Sequence, residues 1–187
     1  LVFFSGLTVV LLTANRMFER VIPFRLNFLL TTFSMLIAWR LSVLANLNYT
    51  SHFYLTALLL KLANYLLAAY HDIKKNKRAC QASGEENSVV FEWQLTFIRM
   101  FIGFDLVPHF CEKLFSGASG RAGDIQAFTE LQIPYVLYFV IAAGFIEFFG
   151  SLAISCGIFT RLGSLGLCMY LMVATYLGNH FKLGFIW

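Results

Sequence analysis

The sequence predicts an all-α fold, a polytopic bundle of transmembrane helices. It is 59% hydrophobic and 13% charged, whereas about 25% of the residues of a soluble globular domain are charged. The mean hydropathy of +0.71 agrees with this. A helix needs about 20 apolar residues to cross the hydrocarbon core, so the chain has room for about six spans joined by short connections. No separate soluble domain fits beside such a bundle.

Three apolar runs form the N-terminal half of the predicted bundle. The first, residues 1–13, would be about 20 Å long as a helix, which is too short to cross alone. We expect it to be the tail of a truncated span and the protein to extend beyond this sequence at both ends. The second run is 24–46 and the third is 52–70. Lys61 lies near the middle of the third run, on a helical face that we expect to point into the bundle.

A polar linker follows the third span. Residues 71–88 read HDIKKNKRACQASGEENS and form the longest polar stretch of the chain. We therefore predict N-terminal transmembrane helices over 1–72, a cytoplasmic basic and acidic linker over 73–92, and a second transmembrane bundle over 93–187.

The C-terminal half contains three further predicted spans, residues 93–115, 134–158 and 162–177. The span 134–158 is rich in small residues, which let neighbouring helices approach closely. A short surface helix is predicted within residues 116–132, where apolar residues recur at helical spacing. Pro108 is expected to bend the span 93–115.

The basic residues predict the orientation of the chain. The first, third and fifth predicted loops hold most of the Lys and Arg residues that lie outside the spans, and short cytoplasmic loops carry such an excess. We therefore place loops 14–26, 72–92 and 158–162 in the cytoplasm, with the protein in a bacterial inner (plasma) membrane. Although the pI is near 9.0, no basic face with interleaved aromatic residues predicts nucleic-acid binding.

Several ionisable residues fall deep within the predicted spans. Such a group costs about 3 kcal/mol in hydrocarbon, so it is found where it faces protein, water or another charge. At about 1.5 Å per helical residue, Lys61, Asp105 and Glu147 lie roughly 15 to 18 Å deep, near the midplane. Arg99 is long enough to reach toward Glu147. We expect these four residues to form a buried cluster.

A second polar set is predicted at the outer face. His109 and Glu112 share a helical face near the end of the span 93–115, Lys113 follows them, and His180 and Lys182 follow the last span. Two histidines and one carboxylate are a weak metal signal, so we predict no metal. The set is instead expected to form interfacial hydrogen bonds, or an anion-binding mouth around its lysines.

The four cysteines predict no dithiol redox centre. Cys80, Cys111, Cys156 and Cys168 show neither a C-x-x-C motif nor a zinc-type spacing. They lie at different predicted depths, and a disulfide needs Cα atoms within about 7 Å.

The second half of the chain contains a set of single residues and short motifs, many of them small or polar. The set comprises Arg99 and Gly103, His109 with the sequence KLF at 113–115, Glu147 with Gly150, GIFTR at 157–161, NHF at 179–181 and FIW at 185–187. This half of the chain, from Arg99 to Trp187, resembles the DoxX-like membrane proteins of the DoxX and DoxD type. That group includes the large subunit of thiosulfate:quinone oxidoreductases. A DoxX-like unit is a four-helix bundle, so the resemblance implies that a final helix follows Trp187.

The resemblance implies an integral membrane component of a quinone-linked or sulfur-linked redox system, with quinone as a diffusible substrate. Its carboxylates would exchange protons with a quinone headgroup or a small anionic substrate. On this hypothesis the candidate catalytic residues are Arg99, Asp105, His109 and Glu147. The candidate substrate-binding residues are Lys61, Lys113, Arg161 and His180.

The alternative hypothesis is a non-catalytic scaffold or accessory subunit of a larger membrane complex. In that case the buried charges only fix helix register, and the lipid-facing surfaces bind other membrane subunits or a second copy of the chain. A small-solute transporter is less favoured, because no pair of Gly- or Pro-broken helices stands out.

Overall fold

A computed structural model describes residues 1–17, 24–83 and 88–178 of the chain. These residues form helices and short turns, and they contain no strand. The helices are α1 (Val2–Met17), α2 (Phe24–Leu44), α3 (Asn48–Ser83), α4 (Ser88–Asp105), α5 (Val107–Phe115), α6 (Gly117–Gly120), α7 (Ala122–Glu130), α8 (Val136–Cys156) and α9 (Thr160–Leu177). The predicted all-α membrane fold is confirmed.

Three helices of the described chain are long and apolar enough to cross a membrane, namely Leu26–Leu44, Asn48–Lys77 and Val136–Cys156. They correspond to the predicted second, third and fifth spans. The other three predicted spans remain predictions, because α1 has only 16 residues and α4 carries three charged residues within its 18.

Two helix boundaries differ from the sequence prediction. The third helix continues beyond residue 70 to Ser83, because the polar stretch after the span holds good helix formers and neither glycine nor proline before residue 84. The predicted span over 93–115 is not one continuous helix, since it is divided at Leu106 into α4 and α5. Pro108 lies in the first turn of α5, where a proline is tolerated but cannot donate to the preceding helix.

The chain divides into two compact units, Leu1–Phe101 and Ile102–Trp187. In the first unit, α2 packs against both α1 and α3. A buried polar stripe on α2 supports this packing. The Ser34 hydroxyl lies 2.9 Å from that of Thr8 and donates to the Phe4 carbonyl at 2.9 Å. Hydroxyl hydrogen bonds of this kind hold helices together where the hydrophobic effect between them is weak.

The second unit is arranged around α8, which contacts α5, α7 and α9. Glycines allow the close approaches. A Cβ added at Gly144 would lie 2.9 Å from the Lys113 Cβ, and one added at Gly163 would lie 2.6 Å from the Ala153 Cβ. The predicted role of small residues in this span is therefore confirmed. At the end of α8, Gly157 takes a left-handed conformation with φ of 75°, which lets the chain turn back tightly into α9.

Candidate functional site

A cavity of about 460 Å³ lies within the second unit. Residues of α5, α7, α8 and α9 line it, together with the residues at the junction of α4 and α5. Most of its wall is apolar, as in sites for organic ligands. Its ionisable side chains are Asp105, His109, Lys113, Asp124, Glu147 and Tyr170.

Glu147 is the centre of the polar network in this cavity. Its residue surface is only 4% exposed. The Lys113 ammonium lies 3.2 Å from Glu147 Oε1, and the Tyr170 hydroxyl donates a hydrogen bond to the same oxygen at 2.5 Å. Glu147 Oε2 is buried and has no hydrogen-bond partner in the part of the chain that the structure describes. Oε1 therefore has two donors within reach, whereas Oε2 has no hydrogen-bond partner among the described residues.

Close helix packing places both partners of Glu147. Lys113 packs its side-chain stem against Gly144, and Gly144 lies one helical turn before Glu147, on the same face. On the other side, a Cβ added at Gly150 would lie 3.2 Å from Leu167 Cδ1. Because a tight turn joins α8 and α9, the two helices run antiparallel. The residue one helical turn before Gly150 on α8 therefore faces the residue one helical turn after Leu167 on α9. These two steps bring Glu147 opposite Tyr170.

Asp124, from α7, is a second carboxylate beside Lys113. Its Oδ1 lies 3.9 Å from Lys113 Nζ, and its side chain is 29% exposed. An ion pair with this separation and exposure contributes little stability. The Lys113 ammonium thus lies between two carboxylates, and the buried one is the closer.

The structure brings four of the predicted site residues to one cavity, namely Asp105, His109, Lys113 and Glu147. Glu147 is buried as expected, whereas Asp105 is exposed at the end of α4. The expectation of a buried Asp105 is therefore wrong, because α4 ends at this residue and the side chain faces the cavity instead of a neighbouring helix.

The other predicted site residues are Lys61, Arg99, Arg161 and His180. Arg99 and Lys61 belong to the first unit, where the Lys61 ammonium donates to the Phe28 carbonyl at 3.4 Å. Arg161 is exposed in the first turn of α9 and does not line the cavity. His180 lies outside the described residues. The cation that pairs with Glu147 is Lys113. The sequence analysis placed Lys113 at the outer face, because it estimated depth by counting residues along one unbroken helix.

Sequence reasoning missed two residues of the site, and each had a signal. Tyr170 lies 13 residues beyond Gly157 and Glu147 lies 10 residues before it, so counting residues from the turn in an antiparallel helix pair would have placed the two within about one helical turn of each other. Asp124 shares a helical face with Phe128 and Leu131, and an acidic residue within an apolar stripe is unusual.

The metal site that the sequence analysis weighed would need His180, which lies outside the described residues. Within residues 1–17, 24–83 and 88–178, no group of three or more His, Cys, Asp or Glu residues could hold a metal ion.

No curated protein and no solved structure shows significant similarity to this chain. The DoxX family model matches residues 94–180, a segment that contains every residue lining the cavity. The chain is therefore an integral membrane protein, and its segment 94–180 is similar to the DoxX family, as the resemblance predicted.

Proposed function

We propose that this chain is the membrane component of a quinone-linked redox system and that the cavity of its second unit binds the headgroup of a quinone. The observation that carries the proposal is Glu147, a buried carboxylate that lines a largely apolar cavity and contacts Lys113 and Tyr170. The volume of about 460 Å³ falls within the range of about 300 to 1,000 Å³ that is common for small-molecule sites.

The shape and polarity of the cavity suit such a headgroup. A quinone ring is flat and apolar except for two opposed oxygens, so it needs apolar walls and a few polar groups near its ends. The leucine and phenylalanine side chains of α7 and α9 offer such walls. The polar groups are those of Glu147, Lys113 and Tyr170, with Asp105 and His109 elsewhere in the lining.

Reduction of a quinone to a quinol takes up two electrons and two protons. In the proposed system the electrons come from a reduced sulfur anion of the thiosulfate class. Two such anions each lose one electron as a new sulfur–sulfur bond joins them. The part assigned to this chain is proton exchange. The Glu147 carboxyl would pass each proton in turn to a headgroup oxygen and regain it from water, while Lys113 and Tyr170 stabilise the carboxylate between the two transfers.

We also propose which membrane holds the chain and on which side its loops lie. The distribution of basic residues supports a bacterial inner membrane location with loops 14–26, 72–92 and 158–162 in the cytoplasm. Other membrane subunits or a second copy of the chain would pack against the apolar surface of the bundle.

The alternative is a scaffold or accessory subunit in which the same network only fixes the packing of α5, α8 and α9. The contacts of Lys113 and Tyr170 with a single carboxylate oxygen suit that role as well. The two functions differ in one measurable respect, because only the first requires the cavity to accept a ligand.

The test is to fill the cavity. Ala174 lines it from α9, and Ala174→Phe would occupy space that the headgroup needs. We expect the full-length protein in lipid nanodiscs to bind a short-tailed ubiquinone and to reduce it with thiosulfate, and the variant to lose binding at least about tenfold, equivalent to about 1.4 kcal/mol. Calorimetric titration, corrected for partition into empty nanodiscs, measures the affinity.

Cys168→Phe is the matched control, since Cys168 is exposed on the same helix and outside the cavity. It should bind as the wild type does. Absence of quinone binding by the wild type, or equal binding by Ala174→Phe, would leave the scaffold as the better explanation.

A further inference from the structure

We infer that water and small ions reach the cavity from one end of the second unit only. This is the end formed by α7 and the last residues of α9, which we name the α7 end. At the opposite end, the turn end, Gly157 joins α8 to α9, and an apolar floor of Leu106, Ile154 and Leu167 closes the cavity in that direction. The protons consumed in quinone reduction are therefore taken up at the α7 end. This last statement rests on the proposed function, whereas the access of water does not.

The floor is a cluster of buried apolar side chains. Leu106, Ile154 and Leu167 pack together, and Tyr170 and Leu171 pack against them. Leu106, Tyr170 and Leu171 also line the cavity, so this cluster forms one of its boundaries. A buried water molecule needs two to four polar partners. The three side chains of the floor offer none, so water does not cross it.

The helices remain in close contact between the floor and the turn end. A Cβ added at Gly103 would lie 2.7 Å from the Ser155 Cβ, and the Ser151 hydroxyl donates a hydrogen bond to the Gly103 carbonyl. Both serines are fully buried in these contacts. Interiors packed this closely hold few spaces larger than a water molecule. The described residues therefore provide no water path from the turn end to Glu147.

The lining becomes more exposed toward the α7 end. On α9 it passes from Tyr170 through Ala174 to Gly178, which share one helical face. This wall is about 12 Å long at 1.5 Å per residue. Glu147, opposite Tyr170, is buried, whereas Gly178 and Leu131 are exposed at the other end of the wall. The cavity thus opens at the α7 end and is deepest at Glu147.

Two carboxylates of the lining indicate that the open part of the cavity is aqueous. Asp105 is adjacent to Leu106 of the floor, yet it is exposed and lines the cavity. The Asp124 side chain, on α7, is 29% exposed. Ionisable side chains within a membrane protein face protein, water or another charge, because hydrocarbon is unfavourable for them. We therefore place Asp105 and Asp124 in contact with water that enters from the α7 end.

The closed floor determines the side of proton uptake. Each quinone that is reduced consumes two protons, which Glu147 regains from water in the proposed function. Because this water is continuous with the α7 end alone, both protons leave the solution on that side of the membrane. Turnover should therefore change the pH on one side.

Cysteine labelling tests the access of water. Single cysteines are introduced into the full-length chain whose native cysteines are serine, and sealed vesicles of both orientations receive a membrane-impermeant cationic methanethiosulfonate. Gln126→Cys marks the α7 end and Arg161→Cys the turn end, because both residues are exposed. Ala174→Cys, inside the cavity, should react at least about tenfold faster from the side that labels Gln126→Cys, since an apolar floor strongly disfavours a charged reagent. Ile154→Cys should react from neither side.

Met172→Cys is the matched control, since Met172 is exposed on the same helix and lies outside the cavity. We expect its surface to face lipid, so it should react slowly from both sides. The inference would be overturned if Ala174→Cys reacted from the turn end, from both ends alike, from neither end, or no faster than Met172→Cys. If the cysteine-free chain is not recovered folded, the same substitutions in the native chain are compared with the labelling of the native chain itself.

Proton uptake is measured on the Gln126→Cys chain in proteoliposomes. Labelling from outside gives the fraction of molecules whose α7 end faces outward. Thiosulfate and a short-tailed ubiquinone are supplied on both sides, with one pH indicator outside and another in the lumen. We expect the share of protons consumed outside to equal the labelled fraction, and uptake from the opposite side would contradict the inference. Absence of turnover would count against the proposed function, and cysteine labelling would still decide the access of water.

Discussion

Replacing Lys113 by methionine keeps most of the side-chain volume of this residue and removes its charge. In the native protein the ammonium lies 3.2 Å from Glu147 Oε1, and the two side chains are 10% and 5% exposed. The variant therefore leaves a carboxylate buried without its cation, which costs about 3 to 5 kcal/mol. The Tyr170 hydroxyl would remain the only donor to this carboxylate among the described residues, since Oε2 has none there.

The size of this effect can be converted into a thermal shift. For a chain of 150 to 250 residues, about 1 kcal/mol lowers the melting temperature by about 2 to 4 °C. Lys113→Met should therefore lower it by roughly 6 to 20 °C. The assay is thermal unfolding of the purified protein in one detergent, with SDS titration as an equilibrium check.

The double variant Lys113→Met with Glu147→Leu tests the cause. Removing both charges leaves an apolar contact of similar volume, and such replacements are often neutral or stabilising. We expect the double variant to recover most of the lost stability. A double variant whose loss is the sum of two independent losses would refute the reasoning, because it would show that the two side chains are not energetically coupled.

Two further predictions concern packing and orientation. Gly144→Ala should lower stability by about 1 to 3 kcal/mol, because the new Cβ would lie 2.9 Å from the Lys113 Cβ, whereas Gly166→Ala, with nothing within 4 Å, should be close to neutral; the same thermal assay compares them, and equal losses would contradict the packing argument. Single cysteines at Lys75 and Gln126, introduced into a chain whose native cysteines are serine, should react with a membrane-impermeant maleimide from opposite sides of the membrane. Labelling of both from one side would contradict the predicted orientation.

The sequence predicted the helices well where apolar runs were long. Leu26–Leu44 and Val136–Cys156 were found because their composition leaves no alternative to a membrane span. Glu147 was found for a related reason, since the high cost of a carboxylate in an apolar helix marks it as a site. The burial of Glu147 and the positions of these two helices could thus be predicted from composition and pattern alone.

The partner of Glu147 was not predicted, and the reason is geometric. The depth estimate treated residues 93–115 as one helix, whereas the chain breaks at Leu106 and starts again at Val107. A break changes both the direction of the helix and the rotation of every later side chain about its axis. The choice between Arg99 and Lys113 depended on that rotation, and on the close approach of α5 to Gly144. Neither this rotation nor this close approach can be obtained by counting residues along a sequence.

The two oxygens of Glu147 differ in their hydrogen bonds. Oε1 is bonded to Lys113 and Tyr170 and so ties α8 to both α5 and α9. Oε2 makes no such bond among the described residues, so the contacts of Glu147 with α5 and α9 depend on Oε1. A residue used only to fix helix packing would gain from a donor on each oxygen. The thermal stability of Tyr170→Phe should therefore fall, because this variant removes one of the two donors to Oε1 and Oε2 has no donor among the described residues to offset the loss.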